Sequence, residues 1–104
     1  MGEYKQYKII WSSSFFKELD KICRYVATEL KEPKISKKIY RSIVEKINSL
    51  KIFPERYIKF QIKDIEFRKI SFKNFIIIYQ VDFKLREVLI LHIFHGSQNY
   101  LIQL

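Results

Sequence analysis

The spacing of apolar positions changes period twice along this chain, from two to about 3.6 and back, which predicts one strand, two helices and a run of strands. Tyr4 to Trp11 alternates, with Tyr7, Ile9 and Trp11 on one face and Lys8 and Ile10 on the other. Ser12, Ser13 and Ser14 follow, and a serine oxygen is suited to accept the free amide protons at a helix start. From Phe15 the period is helical. Phe15, Leu19, Ile22, Val26 and Leu30 form one stripe, while Lys17, Asp20, Lys21 and Arg24 fall outside it. Glu32 and Pro33 interrupt this helix, and the proline suits the first turn of a second one whose stripe is Ile35, Ile39, Ile43, Ile47 and Leu50. So short a connection packs the two as a hairpin. The Phe53-Pro54 step ends the second helix.

Beyond it the period is two. Ile58, Phe60 and Ile62 alternate with Lys59, Gln61 and Lys63; Phe67, Lys69 and Ser71 alternate with Glu66, Arg68, Ile70 and Phe72. Phe75 to Tyr79 is apolar at every position, which predicts a central strand buried on both faces, entered through a tight turn at Lys73-Asn74. Asp82 to Glu87 is a polar loop, and Val88 to His95 is a last strand closed by Gly96 and Ser97. Together these elements predict an α+β fold in a single domain over residues 1–104.

Charge changes this picture. Between Lys34 and Lys73 stand twelve basic residues (Lys34, Lys37, Lys38, Arg41, Lys46, Lys51, Arg56, Lys59, Lys63, Arg68, Lys69, Lys73) against four acids, which places eight of the nine net positive charges there. No charge follows Glu87. Cations gathered in one stretch repel each other in the folded state and attract polyanions, so nucleic acid is the first partner to consider. Composition supplies a core, with 48% hydrophobic and 16% aromatic residues. No stretch approaches the roughly 20 apolar residues of a membrane span, and the N-terminus lacks the apolar run of a signal peptide, so a cytoplasmic protein is expected. Cys23, the single cysteine, sits beside the first apolar stripe and reads as a reduced core thiol.

Two glycines, Gly2 and Gly96, are too few for a phosphate-binding loop or a dinucleotide fingerprint. His92 and His95 differ by three on one strand and point to opposite faces, so no metal site and no cofactor is expected. His92, mid-strand, reads as a core histidine. His95, at the strand end beside Gly96, is better placed for acid-base work on a phosphodiester. RNA carries its own nucleophile in the 2′-hydroxyl, so Arg, Lys, His and Tyr suffice to cleave it without metal. The set near one sheet is Arg68, Lys69, Glu66, Tyr79, His95 and Tyr100, with Lys38, Arg41, Arg56, Lys59, Lys63 and Lys73 as phosphate contacts. Glu66 and Arg68 share a face, and from spacing alone an ion pair of small worth is the favoured reading.

Three segments, YKIIWSSSFFKELDKICRYV, INSLKIFPERY and FRKISFKNFIIIYQVDFKLREVLILHIFHGSQNYLIQL, together resemble the RelE/ParE superfamily of bacterial toxins from type II toxin-antitoxin pairs. The likeness rests on their order, the Leu50-x-x-x-Pro54 step, the strand Ile77-x-Tyr79-x-Val81-Asp82, and the terminal His95-Gly96. It implies a helical hairpin against a curved antiparallel sheet and an acidic antitoxin whose flexible segment orders on the toxin in a hetero-oligomer. It also implies one of two activities: ribosome-dependent, metal-free cleavage of messenger RNA, the first expectation, or poisoning of DNA gyrase without catalysis; an inactive member that binds nucleic acid or the ribosome is the third expectation. For cleavage, His95 is the expected general acid, with Arg68 or Lys69 stabilising the phosphate. Ribonuclease members commonly carry an arginine three residues before the tyrosine matching Tyr79, and often a basic residue after the His-Gly pair. This chain has Ile76 and Ser97 there.

Overall fold

Ser12 starts the first helix as the serine run implies. In the computed structural model, which describes residues 6–96, its Oγ accepts the amide of Phe15 at 3.0 Å and donates to the Leu91 carbonyl at 2.7 Å. One hydroxyl thus caps the helix and ties it to the sheet. The elements run β1 (Lys8–Trp11), α1 (Ser13–Thr28), α2 (Pro33–Asn48), β2 (Lys59–Ile62), β3 (Ile65–Phe72), β4 (Phe75–Asp82) and β5 (Glu87–His95). Tyr4 and Lys5, at the start of the expected first strand, lie outside the described residues.

The sheet order is β1-β5-β4-β3-β2. Every neighbouring pair is antiparallel except β1 and β5, which run parallel, so the sheet is mixed where an antiparallel one was expected. The two helices between β1 and the rest of the sheet return the chain past it, which permits the parallel pairing. β4 occupies the centre, with Ile77, Ile78 and Tyr79 fully buried, as its unbroken apolar run implies.

Phe15, Leu19, Ile43, Ile47 and Leu50 pack onto Ile70, Phe75, Ile77, Tyr79, Val88, Ile90 and Ile93 of the sheet. The ends of both helical stripes depart from expectation. Lys31 turns to φ 54°, α1 stops at Thr28, and Leu30 and Ile35 stand 52% and 46% exposed around that turn. Between the helices the buried Ser36 hydroxyl donates to the Cys23 carbonyl at 2.6 Å, a contact that only a small residue at 36 allows.

Both tight turns use positive φ without glycine. Lys63 and Asp64 have φ 52° and 66° between β2 and β3, and Lys73 has φ 55° between β3 and β4. Two positive-φ residues match the right-handed twist of the strands they join.

Ser12→Ala removes a cap and a helix-sheet tether together, so it should lower unfolding free energy by about 1–2 kcal/mol. An unchanged urea midpoint would contradict the double role.

Candidate nucleic-acid interface

The interface is built from α2, the loop after it, and one end of the sheet. Lys46 stands three positions after Ile43 and one before Ile47, at the flank of the α2 stripe, so its stem lies on the core while its ammonium reaches the rim. Its Nζ is 5.7 Å from the Tyr57 ring centre and 5.4 Å from that of Phe72. Arg56 lies 5.4 Å from the same Tyr57 ring and donates to the Ser49 carbonyl at 2.8 Å. Lys73 lies 5.5 Å from Phe72. Three cations from three segments thus share two aromatic rings, which offsets part of their mutual repulsion.

The rim continues across the sheet. Phe72 pairs with Phe75, and Phe75 pairs with His95, so the three side chains stand in one row on the helix-facing side. His95 is exposed and meets Phe75 edge-on at 6.0 Å between ring centres. Gly96 donates its amide to the Asn74 carbonyl at 2.6 Å, which holds the His95-Gly96 step against the turn carrying Lys73. A Cβ at position 96 would come within 3.2 Å of that carbonyl oxygen, so the close approach favours glycine.

Arg68 and Tyr79 do different work. Arg68 is 9% exposed, and its Nη1 donates to the carbonyls of Glu55 and Tyr57 at 2.6 and 2.9 Å; its buried Nε has no partner among the described residues. Tyr79 is fully buried and donates to the Pro54 carbonyl at 2.5 Å. Burial drives its phenol above the ordinary tyrosine range, with the Arg68 charge pulling the other way. Both side chains therefore clamp the loop 53–57 to the sheet. The expected ion pair between Glu66 and Arg68 does not form; Glu66 instead lies 3.9 Å from Lys59.

The expected set is therefore divided. Arg68 lies in the row of Tyr79, four residues along the strands and two strands across from His95, roughly 13 Å by 10 Å. Lys69 turns to the opposite face, 5.9 Å over the Phe60 ring. Lys38 and Arg41 sit on the outer side of α2, and Lys59 and Lys63 lie along β2 and its turn. Arg56, Lys73 and His95 share the rim, and Tyr100 lies outside the described residues. Lys46, Tyr57 and Phe72 join that rim without having been singled out for it in the sequence.

Position 76, where ribonuclease relatives commonly carry arginine, lies on the sheet face turned from the helices, in register with Ser71 and Phe94. Its surroundings are apolar, with Ile78 and Phe94 buried. His92 is on that side too, half-buried, with Nδ1 3.0 Å from the Glu18 carboxylate, which also accepts the Ile93 amide at 3.0 Å. Glu18 thus caps β5 where β1 has ended. Among the described residues no group of three metal-ligating side chains occurs. Cys23 lines a cavity of about 450 Å³ between the helices with Ser36, Tyr40 and Arg41, and burial pushes its thiol upward, away from a nucleophile's range.

Residues 9–100 match the family model described as ParE toxin of type II toxin-antitoxin system, parDE. The chain belongs to the ParE toxin family. It is a toxin of the RelE/ParE superfamily and of the type II toxin-antitoxin kind. Two solved structures share the fold. One is from the chromosomal ParDE system of P. aeruginosa, with TM-score 0.74, 19% identity, and coverage of 90% of this chain and 100% of that one. The other is from the toxin-antitoxin complex RelBE2 of Mycobacterium tuberculosis, with TM-score 0.67, 16% identity, and coverage of 94% and 100%. Among curated proteins none matches the chain in sequence. Among the described residues of this family member, no helix is long and apolar enough to cross a membrane.

Arg68→Lys keeps a charge but cannot span two carbonyls, so it should destabilise the fold by about 2 kcal/mol. Tyr79→Phe should cost about 1 kcal/mol. Denaturant titration measures both, and wild-type stability in Arg68→Lys would show that the clamp carries no weight.

Proposed function

We propose that this ParE-family chain is neutralised by an acidic antitoxin and arrests growth by occupying DNA-bound gyrase, without cutting nucleic acid. The observation that carries the non-catalytic reading is the commitment of Arg68 and Tyr79 to backbone carbonyls of the 53–57 loop. A transition state needs donors aimed at developing charge, and donors already bonded to carbonyls in the fold are not available to it. Ile76 withdraws the remaining arginine position into an apolar surface. What stays at the surface is the rim of Lys46, Lys73 and Arg56, the last exposed although one of its donors bonds the Ser49 carbonyl, cations suited to lie along phosphates. The antitoxin half rests on the family match and on the two similar structures, both from toxin-antitoxin systems.

Ribosome-dependent cleavage of messenger RNA is the second reading, and one observation favours it. His95 is exposed on the same rim. In that reading the 2′-hydroxyl attacks in line, the rim cations neutralise the phosphate, and the imidazolium protonates the leaving 5′-oxygen. Lys69 and Glu66 take no part in it, because one lies on the other face and the other is paired with Lys59.

Induction of the chain alone separates the two. The gyrase reading expects growth arrest with DNA-damage signalling, intact transcripts, and undiminished arrest by His95→Ala. Transcripts cut by the wild type and spared by His95→Ala would replace it with the ribonuclease reading.

Electrostatics gives a second test. Affinity for a labelled DNA duplex should fall linearly in a plot of log K against log salt, and Lys46→Ala and Lys73→Ala should each reduce the slope by roughly one unit. Slopes equal to that of the wild type would remove the rim from the contact.

A further inference from the structure

Of the six non-glycine residues at positive φ among the described residues, five are charged and sit in connections between elements: Lys31, Lys63, Asp64, Lys73 and Arg86. The sixth is Phe53, at φ 56° and ψ 58°. A bulky side chain fits that region poorly, whereas glycine or asparagine enters it at little cost. Strain of this kind persists only where the surroundings impose it, and it gathers where a group is presented to a partner.

The surroundings of Phe53 do impose it. On one side the Lys51 carbonyl accepts the Tyr7 amide at 2.8 Å. On the other, Tyr79 donates to the Pro54 carbonyl and Arg68 to those of Glu55 and Tyr57. Pro54 is buried, so the chain turns into the core directly after Phe53. Ile52 and Phe53, between these anchors, stand 42% and 49% exposed. Single apolar residues at a surface are ordinary, but an adjacent pair pinned at both ends over a strained backbone is a rigid tip.

Its flanks carry charge of one sign. From Lys46 to Lys63 there are five cations (Lys46, Lys51, Arg56, Lys59 and Lys63) against one acid, Glu55. Lys51 directly precedes the tip, Arg56 stands three residues beyond Phe53, and both are exposed. An apolar side chain set between cations is the arrangement with which proteins enter DNA at a base step: the cations hold phosphates while the wedge fills the space between two bases.

We propose that Phe53, backed by Ile52, is a wedge that enters DNA at an unstacked base step, so that the chain favours interrupted duplex over continuous duplex. The inference rests on the DNA-bound reading above and names the form of DNA that the rim and tip together select. Opening a step in continuous duplex costs stacking free energy, whereas an unpaired base or a nick has already lost it, and the ring recovers part by stacking on the freed base. A rigid wedge serves this better than a mobile one, since little freedom is lost on contact. The clamp of Arg68 and Tyr79 supplies that rigidity.

Fluorescence anisotropy tests the wedge, with the full chain and two labelled duplexes of equal length, one continuous and one carrying an unpaired base at its centre. The wild type should bind the interrupted duplex about tenfold more tightly, the scale of one base stacked on an aromatic ring. Phe53→Asn, which suits the same backbone, should bind the two alike, and Phe53→Tyr should restore the preference. Cooperative urea transitions would show that both variants fold. Equal binding of the two duplexes by the wild type, or a preference kept by Phe53→Asn, would overturn the wedge and leave the rim in place. Binding of neither duplex would overturn the DNA-bound reading and the wedge with it. Weaker binding of Phe53→Asn to DNA-free gyrase, with the duplex preference intact, would reassign the ring to a protein contact and overturn the wedge.

Discussion

One buried guanidinium organises the side of the molecule where function is sought. Arg68 has no carboxylate partner among its described contacts; it is held by two backbone carbonyls of a surface loop. Placing a charge in that setting is expensive unless its donors are satisfied, and Nε is not. The loop it holds is itself strained, since Phe53, a bulky residue followed by proline, adopts φ 56° and ψ 58°. Tyr79 adds a third bond at Pro54. The result is a fixed path from Ser49 to Lys59 that sets Arg56 and Tyr57 against Lys46. Without the clamp, the segment would keep only the Arg56 amide bond to the Phe53 carbonyl and the Arg56 side-chain bond to the Ser49 carbonyl to hold those cations and rings in register.

The Leu50-x-x-x-Pro54 step and the tyrosine of the central strand, two features that carry the family resemblance, meet at this clamp. Leu50 is fully buried, Pro54 is buried, and Pro54 presents its carbonyl to Tyr79. In this chain the shared pattern therefore marks a folding constraint. Those residues are committed to shape in this chain, so they say nothing about the chemistry of its target.

Periodicity made the elements legible, because burial on one face imposes its period whatever the partners are. It identified α1, α2, the doubly buried β4, and the opposite facing of His92 and His95. Where a local turn decides, it failed. Leu30 continues the stripe of α1 but follows a helix already ended by the turn at Lys31. Strand parity put Arg68 on the correct face and could say nothing of the loop that crosses over it, since Glu55 and Tyr57 bond through carbonyls that every residue possesses. The parallel direction of β1 was equally hidden, being set by the path of two helices. Lys46 was the readable omission, because a lysine three positions after a buried isoleucine must lie along the core boundary.

The charge asymmetry, the first functional clue, resolves into separate arrays: the outer side of α2, the rim, and the β2 edge. Two of them are partly neutralised, each in a different way. The rim places its cations on rings, the edge gives Lys59 to Glu66, and the outer face of α2 leaves Lys38 and Arg41 exposed at its surface. Self-repulsion among these arrays weakens the free fold, and any anionic partner that binds only the folded chain recovers that free energy in addition to its own contacts. A toxin built this way is least stable alone and gains stability from any anionic partner that binds only its folded form. Competition between such occupants needs no shared contact residues, since each relieves the same excess of positive charge.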